Sequence, residues 1–256
     1  MTNLPSPIDI NGYTHHHHRI TAGDGTPLFQ RTYLPANTRP TGHLDLVHGW
    51  ADHSGRYTHL LEALLPLNLE VRLPDLRGHG HSGGKRGHIR SLDDYIEDLA
   101  LLFGLGDDGP GEGPPRWLLG HSMGGLVAFH LALSYPRHYR GIILSSPFMA
   151  TQPATGPGRR LFTRLLSRLT PGLLLSTPVD PRGISHDPTV IAAYGDDPLV
   201  HNTITPRWFH AILAAQEQAM ERAAALTPPP VSYTHLTLPT KEEECGGGGG
   251  GGRGGG

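Results

Sequence analysis

The sequence predicts an α/β fold in which a mostly parallel sheet carries helices on both faces and a helical lid insertion, with the last strands of the sheet missing. Apolar segments of strand length alternate with amphipathic segments of helix length as far as Pro147. One of these strands meets its following helix at a turn that reads G-x-S-x-G. After Pro147 the alternation stops and helical segments follow one another. Strands that alternate with helices typically form a parallel sheet covered on both faces.

The first half of this alternation begins with a hairpin. The stretch RITAGDGTPLFQRTYLP predicts two strands joined by a tight turn over residues 22–25. HLDLVHGW predicts a buried strand, and HSGRYTHLLEALLPLN has apolar residues at helical spacing. LEVRLPDLRGHGHSGG predicts a strand followed by a glycine-rich loop. In SLDDYIEDLALLF, Ser91 and Asp94 are candidates for a helix cap.

The second half contains the lid. RWLLG predicts a strand, SMGGLVAFHLALSYP a helix ended by Pro136, and YRGIILSSP another strand. We expect an N-terminal extension over residues 1–18, a core over 19–147, a lid over 148–204, a return helix toward the core over 205–230 and a tail over 231–256. A helical insertion above the carboxyl ends of parallel strands is suited to act as a lid.

Composition excludes several classes of protein. Twenty-one basic and 23 acidic residues give a net charge of −2, so no basic field predicts nucleic acid binding. The apolar runs are too short to span a membrane, and the N-terminus lacks the pattern of a secretory signal. Cys245 is the single cysteine, which excludes an internal disulfide. We expect a cytoplasmic protein.

Ser122 is the candidate nucleophile. It lies in GHSMG, between the predicted strand RWLL and the predicted helix GGLVAFHLAL. A serine on such a sharp turn needs small neighbours two residues away on either side, because larger side chains would collide there. The strand that ends at His48-Gly49 brings the amide of Trp50 to the same edge of the sheet. Together with the amide of Met123, it would form an oxyanion hole.

Six segments together resemble one family. HGWADHSGRY, PDLRGHGHSGGKRGH, DDYIEDL, GHSMGG, SSPF and DDPLV, in this order, resemble the monoacylglycerol lipase and lysophospholipase branch of the α/β-hydrolases, of the serine aminopeptidase S33 type. The resemblance runs from Ile20 to Pro230. It implies that Ser122 is the nucleophile, that Trp50 and Met123 supply the oxyanion amides, and that the substrate contacts three further side chains: Asp52, Arg56 and His121. Asp75 and residues 77–82 are expected to fix a turn beside the site.

The acid and the histidine of the triad should follow Ser122 in chain order. The segment where they are expected reads VSYTHLTLPTKEEECGGGGGGGRGGG. Its first ten residues resemble the translation of an adapter used to prepare sequencing libraries, and its glycines resemble the translation of repeated G base reads. We therefore expect both residues to be absent from this chain. Two alternatives stay open: a genuine glycine-rich tail, and an internal triad of Asp196 or Asp197 with His201 or His210.

Two further features allow more than one interpretation. The run His15–His18 is expected to be a solvated edge near the first strand, because four consecutive residues cannot all converge on one ion; no metal site is predicted. In RRLFTRLLSRL, five apolar residues share one helical face and Arg160, Arg164 and Arg168 the other. This helix would either pack over the site with its arginines in water or lie against a lipid surface.

These observations predict a serine hydrolase of carboxylic esters that acts through an acyl-enzyme without a cofactor. The expected substrates are monoacylglycerols or lysophospholipids, with transient contact between the lid and a membrane surface. The chain as written would be inactive. The alternatives are an aminopeptidase-type hydrolase on the same fold, and a catalytically silent binding module should the C-terminus be genuine.

Overall fold

The computed structural model describes residue 10 and residues 12–106, 113–151, 157–177 and 179–227. The strands are β1 (Tyr13–Thr21), β2 (Pro27–Pro35), β3 (Gly42–Val47), β4 (Leu69–Asp75), β5 (Arg116–His121), β6 (Gly141–Ser145), β7 (Leu175–Ser176) and β8 (Thr203–Ile204). The helices are α1 (Thr58–Leu64), α2 (Asp93–Phe103), α3 (Met123–Ser134), α4 (Pro157–Leu169), α5 (Pro188–Gly195) and α6 (Pro206–Arg222). The predicted tail over residues 231–256 lies outside the described residues.

Six strands form one sheet in the order β1-β2-β4-β3-β5-β6. β1 pairs antiparallel with β2, and β2 antiparallel with β4, whereas β4, β3, β5 and β6 are mutually parallel. The predicted α/β class, with a mostly parallel sheet and helices on both faces, is confirmed. The carboxyl ends of β3 and β5 are neighbours, since Val47 is paired with Gly120. This register brings the loops that follow the two strands together.

The sheet is buried on both faces, which explains why its central strands are rich in buried apolar residues. One cluster of buried residues joins α2, α3 and α6 to one face, and a second joins α1 and β1 to the other. Helix α3 has ten buried residues, from Met123 to Ala132, so it is a core helix rather than an amphipathic one. Each fully buried leucine or valine of such a core contributes about 1.5–3 kcal/mol.

Two details differ from the sequence-based expectations. β1 begins at Tyr13, so His15–His18 lie inside a strand and not in an extension that precedes it. Helix α2 has no side-chain cap: Leu92 occupies the N-cap, and Ser91 donates to Asp93. Asp94 instead accepts hydrogen bonds from the backbone and guanidinium of Arg90. That nearby cation is a better partner for the Asp94 carboxylate than the amides of the first helical turn.

The region over residues 148–204 contains α4, α5 and the small antiparallel pair of β7 and β8. Thr163 and Ser167 are buried in α4, which packs against α6. Leu161, Phe162 and Leu169 are 59–69% exposed. Of the two interpretations of this helix, burial of the apolar face over the site does not hold for these three side chains. None of the helices in the described part of the chain is long and apolar enough to cross a membrane.

Candidate active site

The backbone at Ser122 is strained. Ser122 has φ 54° and ψ −121° and links the end of β5 directly to the start of α3. A non-glycine residue at such a φ is uncommon and marks a position that the surrounding structure holds in place. The flanking glycines explain how this is possible. A Cβ at Gly120 would lie 2.4 Å from the Gly124 carbonyl oxygen, and one at Gly124 would lie 2.3 Å from the His48 carbonyl oxygen.

The loop after β3 lies against this turn. A Cβ at Gly49 would lie 3.3 Å from the Ser122 Cβ. The buried His48 ring fixes the loop, because its Nδ1 donates to the Gly49 carbonyl at 2.7 Å and its Nε2 accepts from the Leu76 amide at 2.9 Å. Burial lowers the pKa of His48 and so favours the neutral imidazole that this pattern requires.

Two amides are available beside Ser122. Met123 is the first residue of α3, where backbone N–H groups have no partner within the helix and carry the positive end of its dipole. Trp50 follows Gly49, which the His48 ring holds in place, and lines two cavities that Ser122 also lines. This arrangement could hold a developing oxyanion, as the sequence predicts.

Asp75 anchors a second turn beside the site. Its buried carboxylate accepts from the amide of Ser54 and from that of His81, each at 2.7 Å. Gly80, at φ +48°, passes so close that a Cβ there would lie 2.1 Å from this carboxylate. Asp75 therefore ties the loop after β4 to the loop after β3. These contacts agree with the sequence-based expectation that Asp75 fixes a turn beside the site.

A cavity of about 700 Å³ opens at Ser122. Asp52, Arg56 and His121 line it, so the structure brings together the three side chains predicted to contact substrate. Asp52 accepts from the Tyr57 hydroxyl at 2.9 Å and pairs with the Arg56 Nε at 3.3 Å. His121 Nδ1 lies 3.3 Å from the Ser145 hydroxyl. The polar groups thus form one wall of a cavity that also has apolar walls.

Tyr194, from α5, also lines this cavity and was not anticipated from the sequence. Its hydroxyl donates to the Ala51 carbonyl at 3.2 Å, and the Arg56 guanidinium lies 4.6 Å from the centre of its ring. Ala51 has φ 55° and directly follows Trp50. Helix α5 therefore holds the loop that carries a candidate oxyanion amide. No periodicity or motif marks Tyr194, because its role depends on how α5 packs.

Ser122 also lines a second, mostly apolar cavity of about 230 Å³. Four of its lining residues are large and apolar and come from the segment after β6, from β8 and from α6: Phe148, Ile204, Trp208 and Phe209. The sequence suggested a lid over the site but did not single out these residues. Together the two cavities offer space for an extended molecule with one polar and one apolar end.

Within the described residues, no hydrogen bond joins the Ser122 hydroxyl to a histidine. The internal alternative is not assembled either. Asp197 accepts from His53 Nε2 at 2.8 Å and lies 3.8 Å from Arg56, whereas His210 lines a separate cavity beside α4. His201 packs against the rings of Trp50 and His79.

Comparison with known proteins identifies the family to which the chain belongs. The family described as serine aminopeptidase, S33, matches residues 38–236. The chain belongs to this family. The monoacylglycerol lipase of Mycolicibacterium smegmatis is 37% identical over 218 residues, which are 84% of this chain and 76% of that protein. Human monoglyceride lipase is 35% identical over 185 residues, which are 72% of this chain but only 59% of that protein.

A solved structure, the monoacylglycerol lipase of Paleococcus ferrophilus, shares the fold with a TM-score of 0.66 at 30% identity. It covers 86% of this chain, and the chain covers 76% of it. The resemblance to the monoacylglycerol lipase branch of the α/β-hydrolases is thereby confirmed. These relatives make the chain a member of a family of lipases and esterases.

Proposed function

We propose that this chain carries the nucleophile of a serine ester hydrolase that acts on monoacylglycerols or lysophospholipids. One observation carries the proposal: Ser122 occupies a strained strand-to-helix turn directly before Met123, and it lines two cavities together with Trp50. The monoacylglycerol lipase relatives support hydrolysis of esters, and membership of the serine aminopeptidase S33 family supports a serine mechanism. The finer assignment of substrate and residues is our own inference.

In the proposed reaction, the Ser122 Oγ attacks the ester carbonyl carbon and gives its proton to a general base. The carbonyl oxygen becomes an oxyanion that the Trp50 and Met123 amides bind. The leaving alcohol receives the proton, and water then attacks the acyl-enzyme and releases the acid and Ser122. We assign the base and its orienting acid to residues that this chain lacks, as its sequence predicts. No cofactor is needed for these steps.

The proposed substrate follows from the two cavities. The polar wall of Asp52, Arg56 and His121 suits the hydroxyls or the phosphate of a head group. The second, mostly apolar cavity at Ser122 suits an acyl chain. An ester between these two parts would lie at Ser122.

The substrate test compares a monoacylglycerol, a lysophospholipid and an aminoacyl arylamide as substrates, with Ser122→Ala as the control. Loss of the triad histidine costs about 10⁶ in turnover, so free imidazole is added to replace the base. We expect ester hydrolysis that needs both imidazole and Ser122. Faster hydrolysis of the arylamide would favour the aminopeptidase alternative, and rapid turnover without imidazole would contradict the missing base. No turnover of any substrate would favour a binding module.

The exposed face of α4 supports lid contact with a lipid surface. Leu161 and Leu165 are 69% and 52% exposed on this face. Each leucine that leaves water for a bilayer contributes up to about 1.5–3 kcal/mol. We expect the double variant Leu161→Ser and Leu165→Ser to bind phospholipid vesicles at least about tenfold more weakly in a sedimentation assay. Leu67→Ser is the matched control, since Leu67 is 56% exposed elsewhere. Equal binding by all three proteins would contradict lid contact.

A further inference from the structure

Strand β1 separates the four consecutive histidines into two pairs. Side chains alternate between the faces of a strand, so His16 and His18 share one face and His15 and His17 the other. The ring centres lie 6.4 Å apart in the first pair and 5.3 Å apart in the second. β1 is the edge strand of the six-stranded sheet, and its outer side pairs with no other described strand.

The pair His15 and His17 is unsuited to bind a cation. The two rings pack on Tyr33 and Phe29 of β2. His17 Nε2 lies 3.2 Å from a guanidinium nitrogen of Arg31, which is itself buried. A metal ion at these rings would therefore meet a fixed positive charge.

The pair His16 and His18 lies in a different environment. Both side chains are exposed. Across the strand pair, His16 is opposite Thr32 and His18 is opposite Gln30, and directly opposed side chains lie on the same face. Neither of these neighbours carries a charge. Two imidazoles on one exposed face are thus available without a competing cation from the facing positions of β2.

Gln30 provides an independent observation. It is only 4% exposed, and its Nε2 donates to the Thr32 hydroxyl at 3.3 Å. Its Oε1 is buried and has no hydrogen-bond partner among the described residues. A buried polar atom without a partner is unusual and calls for a missing water or ion. Here the atom is an amide oxygen, a group able to bind a metal ion, on the residue that pairs with His18.

We propose that His16 and His18 form a transition-metal site at the edge of the sheet, with the Gln30 Oε1 as a third ligand. Metal–nitrogen distances are about 2.0–2.1 Å, so rotation of the two exposed side chains brings both rings to one ion. The remaining coordination positions face solvent and belong to water. Imidazole binds Cu²⁺, Ni²⁺ and Zn²⁺, and Cu²⁺ binds tightest among them.

The site is open, in contrast to a closed structural metal centre. In the part of the chain that the structure describes, no group of three or more His, Cys, Asp or Glu side chains converges on one position. The site also lies apart from Ser122, which follows β5, four positions from β1 in the strand order. The proposal therefore does not depend on the proposed hydrolase function.

Titration of the tag-free protein with Cu²⁺, followed by calorimetry and electron paramagnetic resonance, tests the site. We expect the double variant His16→Gln and His18→Gln to lose at least about tenfold in affinity at the tightest site, together with the nitrogen hyperfine pattern. The matched variant His15→Gln and His17→Gln should keep both. The proposal would be overturned if both double variants lost Cu²⁺ affinity equally, or if the His16→Gln and His18→Gln variant kept its full affinity.

Two further measurements keep the result interpretable. In concentrated urea the strand is lost and the four histidines become equivalent, so the two double variants should then bind Cu²⁺ equally. A difference that persists in urea would show that the folded strand is not responsible. Gln30→Leu should weaken binding to the folded protein while leaving two nitrogen ligands in the spectrum. Unchanged affinity in this variant would remove Gln30 from the site.

Discussion

At the scale of single residues, the glycines around Ser122 decide whether the turn can form. Gly124 shows this most clearly, because the atoms that its Cβ would meet are the backbone carbonyls of Val47 and His48, each at 2.3 Å. Backbone of a central strand cannot move aside as the end of a flexible side chain can. The G-x-S-x-G pattern thus has a steric cause that can be measured on the folded chain.

We expect Gly124→Ala to lower the free energy of unfolding by about 3 kcal/mol or more, because the methyl group overlaps backbone atoms. Gly23→Ala is the control, since a Cβ there meets nothing within 4 Å, and it should change stability by no more than about 0.5 kcal/mol. Urea unfolding followed by circular dichroism measures both variants. A Gly124→Ala protein as stable as the parent chain would refute the steric explanation.

His201 is a residue whose burial makes stability depend on pH. Burial, and then the charge of Arg86, lowers its pKa from 6.5 to about 4. Between these two values the unfolded chain binds a proton that the folded chain does not bind. Lowering the pH through this range therefore destabilises the fold, and the loss is complete only below about pH 4.

Replacement of His201 by Phe keeps an aromatic ring beside Trp50 and removes the titrating group. Between pH 7 and pH 5, we expect the free energy of unfolding of this variant to fall by about 1–2 kcal/mol less than that of the parent chain. His59→Gln is the control, because the His59 side chain is 93% exposed. Urea unfolding at the two pH values measures the effect. If the free energy of unfolding changed equally with pH in His201→Phe and in the parent chain, His201 would not be the group responsible.

At the scale of elements, α5 and the loop after β3 are held together by side-chain contacts. The loop over residues 50–57 receives Tyr194 from α5 and pairs with Asp197 just beyond α5. His53 and Arg56 both contact Asp197, which joins the end of α5 to the wall of the large cavity. Movement of α5 would therefore displace the loop that carries the Trp50 amide.

Tyr194→Phe tests this coupling, because it removes the hydrogen bond to the Ala51 carbonyl and little else. A buried bond of this kind contributes about 1 kcal/mol. We expect hydrogen exchange of the amides over residues 50–57 to speed up by about fivefold, while exchange in α2 is unchanged. Tyr135→Phe, at the other end of α3 from Ser122, is the control. Faster exchange confined to α5 would argue against the coupling.

At the scale of the whole molecule, the sequence predicts the order of strands and helices and the turn at Ser122, because both depend on local patterns. It does not predict where β1 begins, since His15–His18 join the strand through pairing with β2. Nor does it predict that α4 packs against α6 with Thr163 and Ser167 buried. Periodicity finds the two faces of a helix but not the neighbour against which one of them packs. Tyr194 is missed for the same reason.

The two edges of the sheet differ in composition. β1 carries histidines and an arginine along one edge, whereas β6, at the other edge, reads GIILS. An apolar strand with an unpaired edge promotes aggregation. We expect Ile143→Lys to raise the soluble fraction after expression at least about twofold. Leu67→Lys adds the same charge at an exposed position outside the strands and should have a smaller effect. An equal gain in both variants would show that net charge, and not the β6 edge, is responsible.

The central claim is that Ser122 is a nucleophile held next to an oxyanion hole. The most direct test is the rate at which a fluorophosphonate modifies the chain, measured by intact mass and peptide mapping over a series of imidazole concentrations. We expect modification on Ser122 alone, at a rate that rises with imidazole, and none in Ser122→Ala. Modification at other residues, or none on Ser122 at any imidazole concentration, would contradict the claim.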